Sequence, residues 1–135
     1  MKIVVLAVGR PRPPFIDDLQ HYRGLLGRHA RVELIEVREE ERVERRLPER
    51  AFLCLLDVRG RAFTSEEFSA FVEERRQSGR ELCFVIGGPR GLDLEQADLR
   101  LSLGPMTLPH QLARVVLLEQ LFRAHKILAR EPYHY

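Results

Sequence analysis

A chain of 135 residues, 44% hydrophobic and 31% charged, has the length and balance of one globular domain and is too short for two. No apolar run approaches the roughly 20 residues needed to cross a bilayer, which argues against a membrane partner. A net charge of +2 excludes a field strong enough by itself to imply nucleic-acid binding, although Lys2 and Lys126 are the only lysines among the 22 basic residues.

In chain order, the apolar run Ile3–Val8 is six residues long and is ended by Gly9-Arg10-Pro11 without a small-residue cleavage site. It therefore predicts a buried strand rather than a signal peptide, and a cytoplasmic protein. A helical pattern over Phe15–Leu26 and a strand over Val32–Val37 follow. The segment Arg38–Arg50 holds five glutamates and five arginines and predicts a solvated, partly helical connector without chemistry. Phe52–Val58 predicts a third strand. Thr64-Ser65-Glu66-Glu67 then offers a hydroxyl N-cap and acids in the first turn of a helix over Ser65–Gln77. Strands are predicted over Leu82–Ile86 and, more weakly, Leu99–Leu103, before a last helix over Pro109–Ala129, with Pro109 in the first turn where proline is tolerated. Runs apolar on both faces and alternating with helices predict an α/β fold, a mostly parallel five-stranded sheet with helices on both faces. Cys54 and Cys83 each lie in an apolar run and outside CxxC spacing, so buried reduced thiols are expected and no metal site is.

In such sheets ligands bind beyond the carboxyl ends of the strands. The residues found there are Gly9–Arg12, Asp57–Arg61, Gly87–Gly91 and Gly104–Pro109, all rich in Gly, Pro and Arg. The glycines serve either turns or the close approach of backbone to a flat cofactor. Gly87–Gly91 matches neither the dinucleotide nor the nucleoside-triphosphate fingerprint. Arg10, Arg12, Arg59, Arg61 and Arg90 are expected along one edge of the sheet, either as ordinary solvated residues or as contacts to RNA phosphates.

The last helix is apolar nearly all round, from Leu112 to Leu128, which requires burial on two sides. One side is expected to face the sheet and the other a second subunit. Glu119 and Arg123, four residues apart, are positioned to pair. The tail Glu131-Pro132-Tyr133-His134-Tyr135 concentrates two aromatics and an imidazole where termini are usually polar. It either tucks into a groove or offers groups that stack on a base and exchange protons.

Four ordered motifs join these features: Phe84-Val85-Ile86-Gly87-Gly88-Pro89-x-Gly91-Leu92, Met106-Thr107-Leu108-Pro109-His110, Arg114-x4-Glu119-Gln120-Leu121-Phe122-Arg123-Ala124, and Pro132-Tyr133-His134. With Lys2-Ile3-x-x-Leu6-x-Val8-Gly9 and Leu55-Leu56-Asp57, they make the whole chain resemble the bacterial ribosomal RNA large-subunit methyltransferase H family of the SPOUT superfamily. The resemblance implies a single domain over residues 1–135, with a C-terminal trefoil knot over about 82–135, an S-adenosylmethionine site in that knot, and a homodimer with active sites at the subunit interface. Physical rules alone exclude proposing a knot.

Carried over by position, the cofactor contacts are Leu56, Gly88, Gly104, Pro105, Met106, Thr107, Leu108 and Pro109. The implied reaction is methylation of N3 of a pseudouridine in an interface hairpin of 23S rRNA, within the ribosome or large subunit. His134 is then the first candidate to accept the imino proton and Tyr133 to stack or position the base, while Arg10, Arg12, Arg59, Arg61, Arg90 and Tyr135 are the candidate RNA contacts. His110 is expected to be structural or beside the cofactor. Four features depart from the family: Tyr135 closes the tail where a basic residue is common, Arg90 stands where an acid is frequent, Phe122 where tyrosine is, and the connector after the second strand is short. Two other readings stay open, a related enzyme with another RNA target and a non-catalytic assembly factor that binds S-adenosylmethionine or RNA.

Overall fold

In the computed structural model, which describes residues 1–133, β1 (Lys2–Val8), α1 (Phe15–Leu26) and β2 (Arg31–Val37) lead into a 3-10 turn (Glu40–Arg42) and a single-turn α2 (Val43–Arg46). Then come β3 (Phe52–Ala62), α3 (Ser65–Ser78), β4 (Leu82–Ile86), β5 (Leu99–Ser102) and α4 (His110–Leu128). The calls on His134 and Tyr135 lie outside the described residues. All adjacent strands are parallel, in the order β2-β1-β4-β3-β5.

The unbroken apolar character of β1 follows from this position. Ile3, Val5 and Ala7 face the core under the long helices, while Val4, Leu6 and Val8 belong to a second core on the opposite face. Helices cover the two faces unequally. α1, α3 and α4 share the first, and the second is closed by Val43 of α2 together with Leu94 of the β4–β5 loop. Cys54 and Cys83 are buried and free, one in each core, and burial pushes both thiols well above their usual range. α3 starts with a capping box: Thr64 Oγ1 accepts the Glu67 N–H (3.1 Å) and Glu67 Oε1 accepts the Thr64 N–H (2.7 Å).

One expectation is corrected. β3 does not stop at Val58 but runs to Ala62, because the chain bulges after Leu56: both Leu56 and Arg61 pair with Leu101 of β5. Arg59 and Arg61 are therefore strand residues, not loop residues. α4 packs between α1 and α3 as well as on the sheet. Leu117, Leu118 and Leu121 are fully buried within one chain, while Leu112, Val116, Ile127 and Leu128 stay half-buried.

At the far end of α4, His125 is buried against His29, its Nδ1 2.8 Å from the Leu121 carbonyl oxygen and its Nε2, among the described residues, without a partner. Burial holds its pKa below the usual imidazole value, with smaller contributions from neighbouring cations. The native state then binds fewer protons than the unfolded chain once pH falls below about 6.5, and stability drops from there toward the depressed native pKa. Urea unfolding is expected to have a lower midpoint at pH 5 than at pH 7.5, and His125→Leu should lessen that difference; an equal drop in the variant would assign the acid sensitivity elsewhere.

Candidate active site

Beyond the carboxyl ends of β3, β4 and β5, three segments enclose a cavity of about 860 Å³. They are the bulge of β3, the β4–β5 loop and the β5–α4 loop. A cavity of that size is at home in the range of small-molecule sites. Its floor is apolar, with Leu56, Ile86, Leu101 and Ala113, and two apolar rim residues are left uncovered, Val58 (44% exposed) and Met106 (79%). Of the eight residues assigned to the cofactor from sequence, Leu56, Gly88, Gly104, Met106, Thr107, Leu108 and Pro109 line this one cavity; Pro105 does not.

The β5–α4 loop owes its path to Gly104, whose φ of +137° is open to glycine but strained for other residues. Ser102 clasps it, the hydroxyl accepting the Gly104 N–H (3.1 Å) and donating to the Gly104 carbonyl (2.9 Å). Pro109 caps α4 in extended conformation, so His110 opens the helix with its side chain on the cavity wall. Burial and the nearby Arg114 and Arg12 hold the His110 pKa below the usual imidazole value, which favours a neutral ring at pH 7.

Sequence reasoning missed the clamp that joins the walls. Arg100 on β5 contacts Asp93 (2.8 Å) and donates to the Leu94 carbonyl (3.3 Å), and it reaches Asp57 of the bulge at 3.6 Å. Asp57 also accepts the Arg59 N–H at 2.9 Å, and these contacts hold its carboxyl below the usual range. Asp57 was visible only as the end of a motif and the first residue of a candidate loop. Asp93 and Arg100 carry no local signal, because their pairing exists only once β5 lies beside β3.

The candidate RNA residues divide. Arg59 lines the cavity, and Arg90 lines both it and a neighbouring one that also contains Arg10 and Arg12. Arg61 instead stacks on the Phe63 ring, 4.3 Å from its centroid, away from both. Tyr133 lies against the middle of α4: its hydroxyl donates to Glu119 Oε2 (3.2 Å) and its ring meets Phe122 edge-on (4.7 Å). Burial and the Glu119 carboxylate push the phenol up to about 12, and Glu119 also pairs with Arg123 at 2.8 Å. Nine residues of helix, roughly 13 Å of rise, separate Glu119 from His110 at the cavity. Among the described residues no group of three or more His, Cys, Asp or Glu is arranged to hold a metal ion, and no helix is long and apolar enough to cross a membrane.

A family model described as predicted SPOUT methyltransferase matches residues 1–134. The chain is also similar to proteins named ribosomal RNA large subunit methyltransferase H. That of Acetivibrio thermocellus is 40% identical over 158 aligned positions, that of Gemmatimonas aurantiaca 39% over 153, and that of Neisseria gonorrhoeae 39% over 154. In each case the match covers 99% of both chains.

Proposed function

The chain belongs to the SPOUT methyltransferase family, and from that premise we propose that it is an S-adenosylmethionine-dependent enzyme methylating N3 of a pseudouridine in an interface hairpin of 23S rRNA. Methylation of large-subunit ribosomal RNA is the activity that its relatives' names carry. The observation that carries the cofactor is the single cavity that gathers seven of the eight assigned residues.

The residues present fit that cofactor. Leu56, Ile86 and Leu101 offer an apolar bed, the backbone of the β5–α4 loop offers amide groups to a purine edge, and the Gly104 turn holds that backbone at the cavity. When bound, S-adenosylmethionine supplies a methyl group already electrophilic on its sulfonium. The protein's task is therefore alignment, exclusion of water and removal of one imino proton. The Arg100 clamp fixes the bulge and the β4–β5 loop, which is the alignment part.

His134 is the proposed proton acceptor and Tyr133 its stacking or positioning neighbour. Since Tyr133 sits well along α4 from its own chain's cavity, the tail is assigned to the cavity of a second copy in a homodimer. The knot belongs to the same reading. It is supported by a chain that leaves β4 inside the sheet, reaches β5 at the edge, and returns so that Gln111 bonds to the segment after β1. One domain, 1–135, acting in the cytoplasm on the large subunit or ribosome completes it.

The test is transfer of labelled methyl from S-adenosylmethionine to large subunits and to ribosomes, with the modified nucleotide mapped. His134→Ala should reduce turnover about 10²- to 10⁴-fold, the usual worth of a general base, with cofactor affinity unchanged. Parental turnover in that variant would remove His134 from the mechanism. No incorporation by the parent protein would instead favour a binding factor, and a different labelled nucleotide another RNA target.

A further inference from the structure

Beside the cofactor cavity lies a second one of about 620 Å³, walled by the segments after β1, β2 and β4 and by the first turn of α4. The two share Pro89, Arg90 and His110. A ligand in one therefore borders a ligand in the other, as an in-line transfer requires.

The lining is of two kinds. Arg10, Arg12, Arg38 and Arg90 converge from three separate segments, and among the described residues none of their guanidinium groups is engaged in a hydrogen bond or ion pair. Arg114 of α4, 3% exposed, donates to the Val8 carbonyl (2.7 Å), and among the described residues its Nε has no partner. Its Nη2 is 3.7 Å from where a Cβ would stand on Gly9, which lines the cavity. Gln111 fixes the arginine-bearing segment to α4, its Oε1 accepting the Arg12 N–H (2.9 Å) and its Nε2 donating to the Arg10 carbonyl (2.8 Å).

Glu39, Glu40 and Glu41 of the connector, which directly follow Arg38, line the same cavity. Glu40 Oε1 is 3.3 Å from the Cβ position of Gly88, against the loop that also lines the cofactor cavity. Carboxylates repel a bare phosphate or pyrophosphate. A lining that holds both guanidiniums and carboxylates suits a ligand that carries an anion and an N–H donor together, and a nucleotide with an imino base carries both.

We propose that the second cavity is the subsite for the nucleotide to be methylated, its phosphates held by Arg10, Arg12, Arg38 and Arg90 and an imino N–H of its base accepted by Glu40. This rests on the methyltransferase reading and adds the charged connector as a wall of the substrate site.

Steady-state methylation of large subunits by Arg38→Ala and Glu40→Ala tests it, with cofactor affinity measured separately. Arg38 is exposed, so its removal leaves the fold intact. Arg38→Ala is expected to raise KM for the subunits and to lower the slope of log KM on log salt by about 0.7 to 0.9, the signature of one lost phosphate contact. Glu40→Ala is expected to lower kcat/KM about tenfold or more, the loss of one hydrogen bond to a charged group, and Glu40→Gln to recover part of it. An unchanged salt slope, or a loss of cofactor affinity in step with kcat/KM, overturns the subsite. If the parent binds the cofactor but methylates no ribosomal RNA, the methyltransferase reading fails instead; filter retention of large subunits with S-adenosylhomocysteine, compared between parent and Arg38→Ala, then still decides the subsite.

Discussion

A Gly60→Ala variant is expected to unfold about 3 kcal/mol more easily than the parent, at the upper end of overpacking substitutions. A Cβ on Gly60 would stand 2.4 Å from the Arg100 carbonyl oxygen and 2.9 Å from the Leu101 nitrogen. Both are backbone atoms of β5, so no rotamer change relieves the clash. The edge strand must move by about an ångström, out of register with the β3 bulge that Leu101 brackets. For a chain of this length the melting temperature should fall by roughly 10 °C. The effect should reach the active site too, because Leu101 and the Arg100 clamp ride on that strand and Leu103 directly follows it. Parental stability in a chemical-denaturation series would mean that β3 and β5 do not approach this closely in solution.

Gly104→Val is expected to weaken S-adenosylmethionine binding about tenfold to a hundredfold with little change in global stability. The backbone at φ +137° excludes a β-branched residue at a cost of about 1–3 kcal/mol. The β5–α4 loop then relaxes to another path, and the binding-competent loop becomes a minor state, which raises the apparent Kd by the inverse of its population. The loop is peripheral to both cores, so denaturation midpoints should barely move. Isothermal titration with the cofactor separates the two quantities. Unchanged affinity would show that the observed turn is not the one the cofactor requires.

Much of the fold was legible because its signals are local. β1, β4, α1 and α3 fall within a residue or two of their expected bounds, since each is set by a run of apolar residues, a cap or a glycine. The end of β3 was not. Asp57-Val58-Arg59-Gly60-Arg61 reads as a turn, and it becomes strand only because β5 lies close enough for Gly60 to be pressed against it. α4 shows the same gap: periodicity reports that a helix is buried on two sides, and only the fold names α1 and α3 as its flanks.

The sequence by itself determined the alternation of strands and helices, the glycine-proline loops at the carboxyl edge, and the ordered motifs from Leu82 onward that carry the family. These depend on backbone propensity, solvent exclusion and residue order, all written along the chain. Only the tertiary structure decided which of the candidate arginines share a cavity, that Arg61 is held elsewhere by Phe63, and that Asp57, Asp93 and Arg100 form one clamp. It alone set Glu40 against Gly88 and hung the arginine segment from α4 through Gln111 and Arg114. Those last bonds join residues 101 and 106 positions apart, and a contact closed across such a distance depends on the packing of everything between, which leaves no periodicity or spacing in the chain to read.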